Sequence, residues 1–142
     1  MSGLDTVDDS VLTKLLGTGE LQMVCCGAYD IGFFFQEVFR ARGSSSGVIL
    51  PPDARPGLKI NIGSSCQVRT PDGDTTTWEP ERNVGDMRMF SPMLKAAIKS
   101  YRKTPNHELI LTFTNGYELI LIEHGGFESF LIIFPDGGQL PI

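Results

Sequence analysis

The stretch Glu108-Leu-Ile-Leu-Thr-Phe113-Thr-Asn115-Gly116-Tyr-Glu-Leu119-Ile-Leu-Ile122-Glu123, then His124-Gly-Gly126, then Phe127-Glu-Ser-Phe-Leu-Ile-Ile-Phe134, decides the fold class. Two β-rich runs flank Asn115-Gly116, and both residues tolerate the positive φ of a type I′ turn, so the pair predicts a tight hairpin. His124-Gly125-Gly126 supplies a second turn, and the whole reads as an antiparallel β-meander from Glu108 to Phe134.

Working outward, the chain has 142 residues, enough for one domain with a core that needs neither metal nor disulfide. Sixteen glycines and nine prolines fit a turn-rich β protein. The net charge of −5 argues against nucleic-acid binding, which needs a basic face, and permits a basic protein partner, with ordinary acidic solubility as the plainer reading. The first residues carry no basic and apolar leader, and no apolar run approaches a membrane span, so a cytoplasmic location without membrane contact is expected. Cys25, Cys26 and Cys66 cannot all pair within one chain and read as small buried hydrophobes.

Asp8 to Gly17 predicts a short helix, capped by Asp8 or Asp9 and closed by Gly17 in the left-handed region. Its apolar face would carry Val11, Leu12, Leu15 and Leu16. Strands follow at 20–28 and 29–35. The triplet Phe33-Phe34-Phe35 puts apolar side chains on both faces of the second, so its outer face needs a cover. The pattern collapses over 37–57, where Arg40 and Arg42 gather positive charge and prolines forbid regular pairing. Further strands are expected at 58–62 and 65–70, with a turn at Pro71-Asp72-Gly73 and a short edge strand over 74–78. A second helical segment spans 83–94 and is interrupted by Pro92, which could instead open a fresh turn.

The two halves run in parallel. Leu15-Leu16, Leu21 to Val24, Ile31 to Phe35, Leu58 to Ile62 and Val68 to Gly73 match Met93-Leu94, Ile98 to Tyr101, Leu109 to Phe113, Leu119 to Ile122 and Ile132 to Gly137. This predicts an internal duplication, halves about 8–80 and 83–142, with 37–57 inserted at a hairpin tip. By the same match, 97–103 is a strand. The expected fold is β-rich α+β, two antiparallel β-meanders with one or two short helices in a single domain over 1–142.

Leu15-Leu16-Gly17, then Leu21-x-x-Val24 and a glycine, then a strand ending in Phe35, form one part of a resemblance. Leu109-x-Leu111-x-Phe113-x-Asn115-Gly116-x-x-Leu119, followed by Phe127-Glu128-Ser129-Phe130, form the other. Together they resemble a family of small, mostly uncharacterised bacterial proteins with duplicated β-meanders. Its members often sit beside polymorphic-toxin and contact-dependent-inhibition loci and are inferred to be immunity proteins. The likeness covers most of the chain outside 37–57 and rests on structural motifs. It implies a non-catalytic inhibitor of a cognate toxin and carries over no catalytic residue.

No catalytic constellation emerges from the residues. His107 and His124 match no zinc spacing with the cysteines, no local pattern supports a Cys–His nucleophile, and Gly17-x-Gly19 lacks the setting of a dinucleotide site. No enzyme activity, cofactor or metal is expected. The partner contacts expected are Arg40 and Arg42 in the insertion, the acidic Asp72, Asp74, Glu79 and Glu81, Trp78 among them, and Glu128. Trp78 reads equally as an interface anchor or a core plug. Glu128 either meets a basic partner or satisfies turn amides or an arginine on an otherwise apolar strand. A small-molecule-binding or sequestering protein, with its pocket at a meander or homo-oligomer interface, is the alternative.

Overall fold

The structure is a computed structural model that describes residues 3–40, 48–49, 56–83, 86–125 and 128–142. Its strands are β1 (Glu20–Cys26), β2 (Ile31–Gln36), β3 (Phe39–Arg40), β4 (Val48–Ile49), β5 (Lys59–Ile62), β6 (Cys66–Arg69) and β7 (Thr75–Trp78), then β8 (Ile98–Thr104), β9 (Glu108–Phe113), β10 (Glu118–Ile122), β11 (Phe130–Ile133) and β12 (Gln139–Pro141). One antiparallel sheet runs β1-β2-β5-β11-β12 and the other β7-β6-β10-β9-β8, five strands each. The expected β-rich α+β class with two antiparallel meanders is therefore what the chain adopts.

The meanders are β1-β2-β5 and β8-β9-β10, and each sheet is completed by a hairpin from the other half of the chain. This corrects the expected meander over 108–134. The strand after His124 does not turn back onto β10 but crosses to pair with β5 and β12. In the first half, β6 likewise leaves β5 and pairs with β10. Two apolar faces are thereby closed against each other. Leu21, Val24, Phe33, Phe35, Ile60 and Ile132 from one sheet share a single core with Val68, Trp78, Leu109, Leu111, Leu119 and Leu121 from the other. The Phe35 and Phe113 rings meet across it at 6.0 Å.

Local chemistry explains the turns. At Asn115-Gly116 only Gly116 has positive φ, so the expected type I′ turn is not formed. Instead the Gly116 amide donates to Phe113 O at 3.0 Å and the Phe113 amide donates to Tyr117 O at 2.8 Å. That is a type I turn closed by a glycine bulge. Thr70-Pro-Asp-Gly73-Asp74 and Phe134-Pro-Asp-Gly137-Gly138 repeat both bonds. Proline suits the first central position there, and Gly73 and Gly137 take the left-handed one. At 104–108 the left-handed position falls to His107, at φ 60°.

The N-terminal helix is shorter than expected, one α turn (Asp9–Leu12) continued by a 3-10 turn (Thr13–Leu15). Asp8 is its N-cap by position, without a side-chain bond. Gly17 is left-handed at φ 71°, as read. Leu12 and Leu15 are buried, but the chain turns extended at Leu16 and leaves that side chain outside. Among the described residues of the second helical segment, the one helical element is a 3-10 turn at Ser91–Met93, opened by Pro92. The strand expected over 97–103 forms as β8, Ile98–Thr104. Tyr29 and Asp30, read as strand, form the turn before β2. Within 37–57, where irregular chain was expected, β3 and β4 pair as a two-rung ribbon, and 41–47 and 50–55 lie outside the described residues.

The strand orders map onto each other when the halves are exchanged. The ladder slips at Leu21/Met23 in β1 and at Ile98/Ser100 in β8. Lys95 sits at φ 73°, where the sequence match brings it opposite Gly17 at φ 71°. Glu20 bridges Ala97, so the sheets join where β1 meets the approach to β8.

Candidate functional site

The predicted contacts fall into separate places. Asp72 and Asp74 lie exposed in the turn before β7, and Glu79 and Glu81 follow its end, half-buried and exposed respectively. Between them run Thr75, Thr76 and Thr77, all exposed. The acidic residues therefore bracket one strand at the rim of a sheet, instead of forming one continuous patch. Arg82 pairs with Glu79 at 3.1 Å, and Asn83 Oδ1 accepts from the Glu79 amide at 2.9 Å, fixing the end of the strand. Glu81 holds φ 71°.

Trp78 is 1% exposed and packs edge-on to Phe90 at 6.5 Å, so it is a core plug and not a surface anchor. The period of the strand decides this, because Trp78 lies opposite buried Cys66 while Thr77 lies opposite Gln67. Its indole N–H finds no acceptor among the described residues.

Glu128 precedes β11 and is exposed, so it does not lie on an apolar strand as expected. Next to it, Ser129 O accepts from the Gly63 amide at 3.0 Å and from Ser64 Oγ at 3.3 Å. Glu128 thus sits near the crossing from β5 to β6, away from Asp72 and Asp74 at the other end of β7. Arg40 pairs through its backbone with Val48. Arg42 lies outside the described residues.

Three polar clusters were not legible beforehand. On the outer face of the second sheet, Glu118 accepts from Arg69 Nη1, Arg102 Nη1 and Thr112 Oγ1, each at 2.9 Å. Partial burial pushes its carboxyl pKa up, but the bonds from Arg102, Thr112 and Arg69 outweigh that and hold it below the ordinary value. These four residues come from four neighbouring strands, which only the register assembles.

The second cluster is Ser65 Oγ with His124 Nε2 at 3.2 Å. That distance matches a nucleophile and its base. Ser129 Oγ, however, takes the His124 amide at 2.7 Å and donates to His124 O at 3.2 Å, so the same group staples the crossing from β10 to β11. The third is the cysteines, all free, and the expected burial holds for Cys66 alone, since Cys25 is exposed and Cys26 half-buried. Burial pushes both the Cys66 and the Cys26 thiols up, which disfavours the reactive thiolate.

Among the described residues no group of three or more His, Cys, Asp or Glu side chains could hold a metal ion. No described helix is long and apolar enough to cross a membrane. On the outer face of the first sheet, Met23, Phe34, Leu131 and Ile133 form a partly exposed apolar row, with Lys59 Nζ 6.0 Å from the Phe34 ring. Comparison with protein-family models, curated proteins and solved structures finds no significant match.

Proposed function

We propose that this chain is a non-catalytic binding protein that neutralises a cognate basic toxin by covering the toxin's active site. The observation that carries the reading is the acidic bracket on β7. Asp72, Asp74, Glu79 and Glu81 flank an exposed, uncharged strand, and the basic residues described beside them are already paired, Arg82 with Glu79 and Arg69, opposite Thr75, with Glu118. Such a field speeds encounter with a cationic surface and disfavours an acidic one. Inhibition by cover needs shape and charge alone, so the lack of a legible catalytic constellation costs this reading nothing. The family resemblance of the two meander motifs supports the same role and a cytoplasmic setting.

The matched strand orders, the paired bulges and the left-handed Gly17 and Lys95 support an internal duplication as the origin of the fold.

Co-purification from the native host, with mass spectrometry of protein and small-molecule partners, tests the function. A stoichiometric basic protein whose toxicity this chain abolishes is the expected result. A retained metabolite without a protein partner overturns the reading in favour of a small-molecule binder.

A further inference from the structure

We propose that β7 is a strand-addition site, and that the partner docks on it through a short extended segment flanked by lysine or arginine. The inference rests on the basic partner proposed above and specifies how it is held.

The register fixes which backbone groups are free. The Thr70 amide donates to Asp74 O at 2.8 Å and the Gly73 amide to Thr70 O at 2.9 Å. Antiparallel ladders alternate from such a closing pair, so Thr76 and Trp78 turn their N–H and C=O toward β6. Thr75 and Thr77 turn theirs outward, past the end of the sheet. The Glu79 amide, next in the outward set, is already taken by Asn83.

The other ends of the two five-stranded sheets are guarded. Where β1 meets the approach to β8, Leu21 and Ala96 share a 2.8 Å bond, and Lys95 donates to Leu21 O at 2.8 Å. Farther along β1, Cys26 Sγ reaches Asp86 O at 3.6 Å. Along β8, Tyr101 Oη donates to Asp9 and Lys103 Nζ to Val7 O. Finally, β12 ends in Pro141, which has no N–H to offer. Only β7 presents an edge with three exposed threonines, no charge and no proline among the described strands, the usual condition for pairing with another chain.

Charge then selects the occupant. A second copy paired antiparallel on β7 would bring Asp74 of one copy toward Glu79 of the other, and like charges oppose that. A segment with cations at both ends meets Asp72 and Asp74 at one end and Glu79 and Glu81 at the other. The span between Asp74 and Glu79 is about 16 Å at the usual strand rise. Two outward residues offer few main-chain bonds, so the charged ends supply much of the affinity and set the register.

The test uses the full chain and a labelled peptide of alternating threonine and valine with two lysines at each end, followed by fluorescence anisotropy. Controls are the same peptide with alternate backbone amides N-methylated, and a glutamate-ended version. The paired substitution Thr75→Pro and Thr77→Pro removes only outward N–H groups, with folding checked by Trp78 fluorescence and thermal melting. Micromolar binding that falls at least about tenfold on N-methylation, on the proline substitutions and on the glutamate ends is expected. Absence of binding at about 1 mM, or binding indifferent to N-methylation and proline, overturns strand addition. A host toxin that the proline variant still captures and neutralises also overturns it and leaves inhibition standing. If the unsubstituted chain captures no protein partner from the host, inhibition itself is overturned.

Discussion

Phe35 and Phe113 belong to different meanders, yet their rings lie 6.0 Å apart at 30°, and each is no more than 1% exposed. Replacing either by leucine keeps the site apolar and should cost about 1.5 kcal/mol, the upper range for a near-volume-conserving core swap. If the two side chains share one core, the second replacement removes a contact the first has already lost. An aromatic pair of this geometry is worth about 1 kcal/mol beyond its buried area. The double variant should therefore be destabilised by about 2 kcal/mol, less than the sum of the singles. With a urea m-value of about 2 kcal/mol/M, each single lowers the midpoint by about 0.75 M and the double by about 1 M. Equilibrium urea unfolding followed by Trp78 fluorescence measures all four proteins. Costs that add within about 0.3 kcal/mol would place the rings in separate cores and refute the composite pairing of the sheets. Singles that cost less than about 0.5 kcal/mol would refute their burial.

Lys95→Gly should stabilise the protein by about 0.5–1 kcal/mol, because relief of the left-handed strain exceeds the glycine entropy cost, whereas Gly17→Lys should destabilise it by a similar amount; thermal melting of both checks this. Glu118→Gln should cost about 1 kcal/mol near neutral pH, after discounting for the exposure of Arg69 and Arg102. Since the folded carboxyl pKa is lowered from 4.5, that difference is fully present above about 4.5 and should shrink as pH falls through the lower folded value; urea titrations across this range measure it. Gly57→Ala should be severely destabilising, because a Cβ there would collide with the Phe35 backbone carbonyl, and soluble yield with thermal melting reports it. A thiol reagent should modify Cys25 in the folded protein and reach Cys66 only on unfolding, measured by mass spectrometry with and without denaturant.

Period and turn chemistry are local, and they were legible in the residues. The alternation in Leu58 to Ile62, the Pro-Asp-Gly turns at 71–73 and 135–137, and the parallel run of the two halves place nearly every strand before any contact is known. Left-handed Gly17 and the proline-opened turn at Ser91–Met93 are local too. The partner of a strand is not local, since β11 could satisfy its backbone beside β10 or beside β5 with the same residues. Burial of two apolar faces in one core chose β5. That choice sent Trp78 into the interior, turned the acidic segment into a bracket around one strand, and gathered Arg69, Arg102 and Thr112 on Glu118. Local composition determined the elements, and the closing of the two sheets on each other decided which edge and which charges remain available to a partner.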